Sequence, residues 1–166
     1  MNIMWLSDNI DVPSGYGTVS YNILTRLANR GHKIYEIGFQ NVGLQKELNG
    51  ITMLSKGAHN FGMTKVQKHI DTYKPDIFVS LADVFNIAWI QHVKFGKTRF
   101  IPYIPCDGEP MVKGSEPFLF KAHRIIAMSK FGQEELKKIG FSSKFIYHGF
   151  DPEIFKPLEK EHIKET

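Results

Sequence analysis

The sequence predicts an α/β fold: an open, mainly parallel sheet with helices on both faces. Three observations predict it. Short apolar runs alternate along the chain with segments of helical period. The apolar runs, such as N-I-M-W-L-S at 2–7 and D-I-F-V-S-L at 76–81, are unbroken rather than alternating, which suits strands covered on both faces. The chain has 166 residues, 42% hydrophobic and 23% charged, which is enough for one well-buried domain and excludes disordered, collagen-like and coiled-coil classes.

The elements follow in order. Residues 2–7 form the first strand, and 7–17 a turn-rich loop with Asp8, Asn9, Pro13, Ser14, Gly15 and Gly17. A helix is expected over 18–30, where Val19, Ile23, Leu24, Leu27 and Ala28 share a face and Gly31 supplies the stop. Residues 33–39 and 51–54 are strands. A helix over 63–73 ends before Pro75. The strand at 76–81 precedes a helix over 84–95 that Gly96 closes. Residues 99–105 form a strand that Pro102 makes irregular or places near the limit of pairing. A short helix at 117–122, a strand at 124–128, a helix at 130–139 capped by Ser129 and a strand at 144–147 complete the pattern. Residues 151–155 form a turn. With right-handed crossovers this is a Rossmann-like sheet. The expected division is one domain over 1–155 and a charged tail over 156–166.

The 21 Lys and Arg against 17 Asp and Glu give a net charge of +4. The excess is mild and spread along the chain, with Lys137-Lys138 the one adjacent basic pair, so nucleic acid is not an expected partner. Anionic substrates and peripheral contact with an anionic membrane remain compatible. Cys106 is the single cysteine, so no intrachain disulfide forms and a reducing, cytoplasmic location is expected. No paired Cys and His pattern, H-E-x-x-H or i,i+4 His pair points to a metal.

In such a sheet, ligands bind outside the carboxyl ends of the strands, near the reversal of strand order. That rule selects Asp8 and Asn9 after the first strand, Asp83, Asp107 with Glu109 in I-P-C-D-G-E-P, and Ser129 as binding candidates. Asp107 is the candidate catalytic residue, because an acid at a strand end can serve as base or orient a hydroxyl. Gly15 and Gly17 flank Tyr16 at the start of the first helix. Two glycines there let backbone N–H groups approach an anion, and Tyr16 is placed to stack on a ligand. G-Y-G-T-V-S is one residue short of the dinucleotide fingerprint. The long loop before it and the lack of an acid at the end of the second strand count against NAD(P). Polar loops and glycine turns also occur without function, so an NAD(P)-dependent oxidoreductase domain and a non-catalytic Rossmann-like binding domain stay open as alternatives.

Three segments in register carry a family resemblance. They are P-S-G-Y-G-T-V-S-Y-N-I-L-T-R-L-A-N-R-G-H-K-I, H-R-I-I-A-M-S-K-F-G-Q-E-E-L-K-K-I-G and F-I-Y-H-G-F-D-P-E-I-F-K-P. Together they resemble the N-terminal domain of GT-B glycosyltransferases of family 4 (group 1). The matching positions in the first segment are Gly15, Gly17, Leu24, Leu27, Gly31 and His32.

The resemblance implies a seven-strand Rossmann-like half, with its cleft at the carboxyl edge, that binds mostly the acceptor and closes over the donor phosphates through its glycine loop. A C-terminal GT-B domain would bind the nucleotide-sugar. It implies transfer of a sugar from that donor to a sugar, lipid or protein acceptor, with retention, no metal and no cofactor beyond the nucleotide-sugar co-substrate. The sequence departs from the family at His148, where Asn is usual, and at Phe150, where Val is usual. The family's His near the end of the middle strand is missing, and Asp107 stands in that region. The acidic E-x7-E and basic donor-phosphate residues belong to the second domain, so this chain by itself is expected to be a poor catalyst.

Overall fold

The computed structural model describes residues 1–111 and 114–157. Eight strands form one sheet: β1 (Asn2–Ser7), β2 (Lys33–Gly38), β3 (Lys46–Leu48), β4 (Ile51–Leu54), β5 (Ile77–Leu81), β6 (Arg99–Ile104), β7 (Ile126–Ala127) and β8 (Lys144–Phe145). Their order is β3-β4-β2-β1-β5-β6-β7-β8. Every pairing is parallel except β3 with β4. The chain runs outward from β1 to β2 and β4, then returns to place β5 on the other side of β1. The strand order therefore reverses between β1 and β5.

The unbroken apolar strands do face both ways. Met4 and Leu6 of β1 join one core with Phe78, Phe100, Phe118 and Leu136, while Ile3 and Trp5 join the other with Leu24, Ile34 and Met53. Helix α1 (Gly15–Asn29) covers the second face. Trp5 fixes it there by donating its indole N–H to Ser20 Oγ at 2.9 Å. The first face carries α2 (Val66–Tyr73), α3 (Val84–Ile87), a 3₁₀ turn (Ala88–His92), α4 (Glu116–Leu119) and α5 (Lys130–Lys138).

Three expectations change. The helix expected over 84–95 is one α turn followed by a 3₁₀ turn. Val84, Ile87, Ile90 and Val93 are the buried positions, and a spacing of three residues matches the 3₁₀ period rather than 3.6. Strand β3 was not expected. It is a short polar edge strand, joined to β4 by Asn49-Gly50, both with positive φ as a tight hairpin turn requires. Helix α1 begins at Gly15, so the two glycines lie in its first turn, not in the loop before it.

Pro102 sits where its missing N–H is tolerated. Strand β6 pairs with β5 from Arg99 to Tyr103, but with β7 only at Tyr103 and Ile104. The turn at 151–155 is present, closed by Phe155 N–H to Asp151 O at 2.8 Å. The tail expected over 156–166 lies, from residue 158 onward, outside the described residues. Among the described residues no helix is long and apolar enough to cross a membrane.

Candidate functional site

The loops after β1, β5 and β6 meet at the carboxyl edge where the strand order reverses. Ser14 caps α1, accepting the Gly17 N–H at 2.9 Å, and donates its own hydroxyl to Asp8 Oδ2 at 2.6 Å. Thr18 N–H goes to Ser14 O. The N–H groups of Gly15 and Tyr16 carry no hydrogen bond among the described residues, so they are the open donors of the helix start. Tyr16 reaches across the reversal point and donates its phenol to Asp83 Oδ1 at 2.9 Å. Burial, then Asp83, and then the charges of Asp107 and Asp8 push the phenol well above its usual range. The phenol therefore stays protonated and stays a donor.

Asp83 and Asp107 line a shallow cleft of about 90 Å³ with Val84, Phe85, Cys106 and Met111. Asp107 is exposed and accepts no hydrogen bond among the described residues. Cys106 is half-buried, and burial raises its thiol pKa, so it is a poor nucleophile. A Cβ on Gly132 would stand 3.1 Å from the Cys106 Cβ, which fits a packing role for this thiol. The cleft thus gathers two carboxylates beside the Tyr16–Asp83 bond, and carboxylates accept hydrogen bonds from hydroxyl groups.

Other predicted residues have structural partners. Asn9 is buried; its backbone N–H donates to Gln40 Oε1 at 2.8 Å and its amide oxygen accepts Gln40 N–H at 3.0 Å. Asp8 Oδ1 accepts the Gln40 side chain at 2.8 Å, which ties the first loop to the end of β2. Gly17 is buried, and a Cβ there would lie 2.6 Å from Val12 O and 2.7 Å from Asn9 O. Its glycine is thus required by close packing, while Gly15 has open space around it. Glu109 turns to α5 and pairs with Lys138 at 2.5 Å; Lys138 also holds the buried Glu135. Ser129 caps α5 through Gly132 N–H at 3.0 Å. The structure therefore brings Asp8, Tyr16, Asp83 and Asp107 together, and places Asn9, Glu109 and Ser129 in scaffolding contacts around them.

Sequence reasoning missed Gln40 and Gly38. A Cβ on Gly38 would fall 1.9 Å from Asn9 Oδ1, so this glycine makes room for the Asn9–Gln40 clasp. The glycine at the end of an apolar strand was the available signal. Among the described residues no three His, Cys, Asp or Glu side chains gather as a metal site.

No family model and no curated protein matches the chain significantly in sequence. Among solved structures it is similar to a lipopolysaccharide outer core galactosyltransferase, WaaB, in its apo form. The TM-score is 0.62 at 13% identity, over 88% of this chain and 44% of that one. The likeness is one of fold: an α/β, Rossmann-like sheet of the kind in that enzyme. This chain spans less than half of that protein's length.

Proposed function

We propose that this chain is the acceptor-side, N-terminal half of a GT-B glycosyltransferase, moving a sugar from a nucleotide-sugar to an acceptor with retention and without a metal. The observation that carries this reading is the Tyr16–Asp83 hydrogen bond across the strand-order reversal, beside Asp107, which has no hydrogen-bond partner among the described residues. The reversal point is where this class of sheet binds ligands. The groups found there suit an acceptor hydroxyl. Asp107 accepts a hydrogen bond from that hydroxyl and orients its oxygen toward the anomeric carbon of the donor. The oxygen–carbon bond forms as the bond to the nucleotide diphosphate breaks, and the hydroxyl proton leaves with the departing phosphate. The open N–H groups of Gly15 and Tyr16 face the diphosphate side. A second domain supplies the remaining donor contacts. The use of a nucleotide-sugar goes with a cytoplasmic, peripherally membrane-associated setting.

Glu36 argues against the NAD(P) alternative. It is the one acid of β2, and it is buried inside the strand rather than standing at its carboxyl end, where a ribose hydroxyl would need it.

Amide and side-chain NMR titration tests the reading. Candidate acceptors, with a lipopolysaccharide core oligosaccharide first because the structural neighbour acts on that class, are expected to shift Tyr16, Asp83 and Asp107. Nucleotide-sugars are expected to bind weakly, with shifts at Gly15 and Tyr16. Tight one-to-one nucleotide-sugar binding without an added domain, or saturable NADH binding seen by cofactor fluorescence, would overturn it.

A further inference from the structure

A buried acid stands outside this cleft and has no part in the proposed reaction. Glu36 is fully buried in the middle of β2. One carboxyl oxygen accepts the Ile10 N–H at 2.7 Å; the other is buried with no partner. The strand registers place Trp5, Glu36, Met53 and Lys46 in one row across β1, β2, β4 and β3. Lys46 is the cation of that row, and Asp11 holds it at 2.6 Å. Ile10 and Asp11 both belong to the loop at 8–14. This one loop therefore donates to one Glu36 oxygen and pairs with the cation of its row.

We propose that Glu36 is a pH-linked latch on the loop at 8–14, holding it closed while the carboxyl is neutral and releasing it when the carboxyl ionises. A buried carboxylate with a vacant oxygen is costly unless it gains a cation or water. Either gain requires local opening, because the vacant oxygen is buried and Asp11 occupies Lys46; the loop at 8–14, which contacts both Glu36 and Lys46, is the element assigned to move. Trp5 and Met53, its neighbours on β1 and β4, do not titrate. The Ile10 N–H and Lys46 favour Glu36 ionisation and Asp11 opposes it, while Tyr16 of α1 stays protonated across the neutral range. Burial dominates and holds the Glu36 carboxyl up at about 7. The loop ends at Ser14, the cap of α1, so its release loosens the start of the helix that carries Tyr16. The latch does not depend on the proposed reaction.

Hydrogen exchange on the whole chain tests it, after correction for intrinsic exchange. If opening fully hydrates Glu36, the opening equilibrium of the hydrogen-bonded amides of Ile10, Val12 and Ser14 should rise about 70-fold from pH 5 to pH 8, given a carboxyl near 7 closed and 4.5 open. Amides of β1 and β5 should exchange through global unfolding, with a larger and urea-dependent opening free energy, whereas the loop amides should open with a smaller free energy that urea hardly changes. Glu36→Gln, which keeps an acceptor for Ile10, should abolish the rise. A carbon-13 titration of the wild-type Glu36 carboxyl should give the same midpoint as the loop opening. Loop amides that share the opening free energy and urea dependence of the sheet amides, an unchanged rise in Glu36→Gln, or a wild-type carboxyl midpoint near 4.5 would each overturn the latch.

Discussion

Tyr16 donates its phenol to Asp83 at 2.9 Å, joining the loop after β1 to the loop after β5 across the point where the strand order reverses. The bond ties the start of α1 to the acidic wall of the cleft. Tyr16→Phe should destabilise the chain by about 1 kcal/mol, the usual worth of a part-buried hydrogen bond, measured by urea unfolding. Asp83→Asn should lower the Tyr16 phenol pKa, because a neutral amide no longer opposes the phenolate. Phenolate absorbance against pH reads this directly, and an unchanged titration would mean the two side chains do not meet in solution.

The two glycines at the start of α1 should respond differently to alanine. At Gly17 a Cβ collides with two carbonyl oxygens of the preceding loop, so Gly17→Ala should cost on the order of 2 kcal/mol or more. At Gly15 the Cβ meets nothing within 4 Å and φ is not in the left-handed region, so Gly15→Ala should leave stability within about 1 kcal/mol of the parent. Thermal unfolding of both variants checks the contrast. Gly15→Ala is accordingly the variant in which a change in nucleotide-sugar binding reports on ligand contact rather than on folding.

The sheet was legible because β1, β2, β5 and β6 are apolar on both sides, and only a sheet covered on both faces buries such runs. Strand β3 was not, because Lys46 and Glu47 lie exposed at an edge and look like loop; Asn49-Gly50 was the signal that marked the hairpin. The site was legible as a set of strand ends. Asp8, Asp83 and Asp107 were picked by that rule, and they gather with Tyr16. Which polar residues serve the scaffold was not legible. Asn9 depends on Gln40 at the end of β2, and Glu109 on Lys138 of α5, partners that only the packed sheet brings near.

The Lys138 contacts separate a scaffold role from a ligand role for Glu109. Lys138 bridges the exposed Glu109 and the buried Glu135. Removing Glu109 leaves Glu135 paired, whereas removing Lys138 leaves a buried carboxylate without its cation. Lys138→Met should therefore lower the unfolding temperature clearly and Glu109→Gln hardly at all. Equal losses in the two variants would show that the pairing with Glu109, and not the neutralisation of Glu135, fastens the loop after β6.

Glu36 gives the chain a pH dependence opposite in sign to that of a salt-bridged acid. Burial chiefly raises its carboxyl to about 7 in the folded chain, against 4.5 for a free glutamate side chain. The folded state thus binds more protons than the unfolded state between those values, so stability falls as pH rises through that window. Below it the contribution is complete; above it both states are ionised and the loss is constant. A shift of this size corresponds to roughly 3 kcal/mol at most, reduced by whatever relief loop opening provides. Urea unfolding from pH 4.5 to 8 should show this decline in the wild type. In Glu36→Gln the difference between variants should change over the same window, because the amide does not titrate. A wild-type stability that instead rises through the window, with the variant running parallel, would place the folded Glu36 carboxyl at its ordinary value.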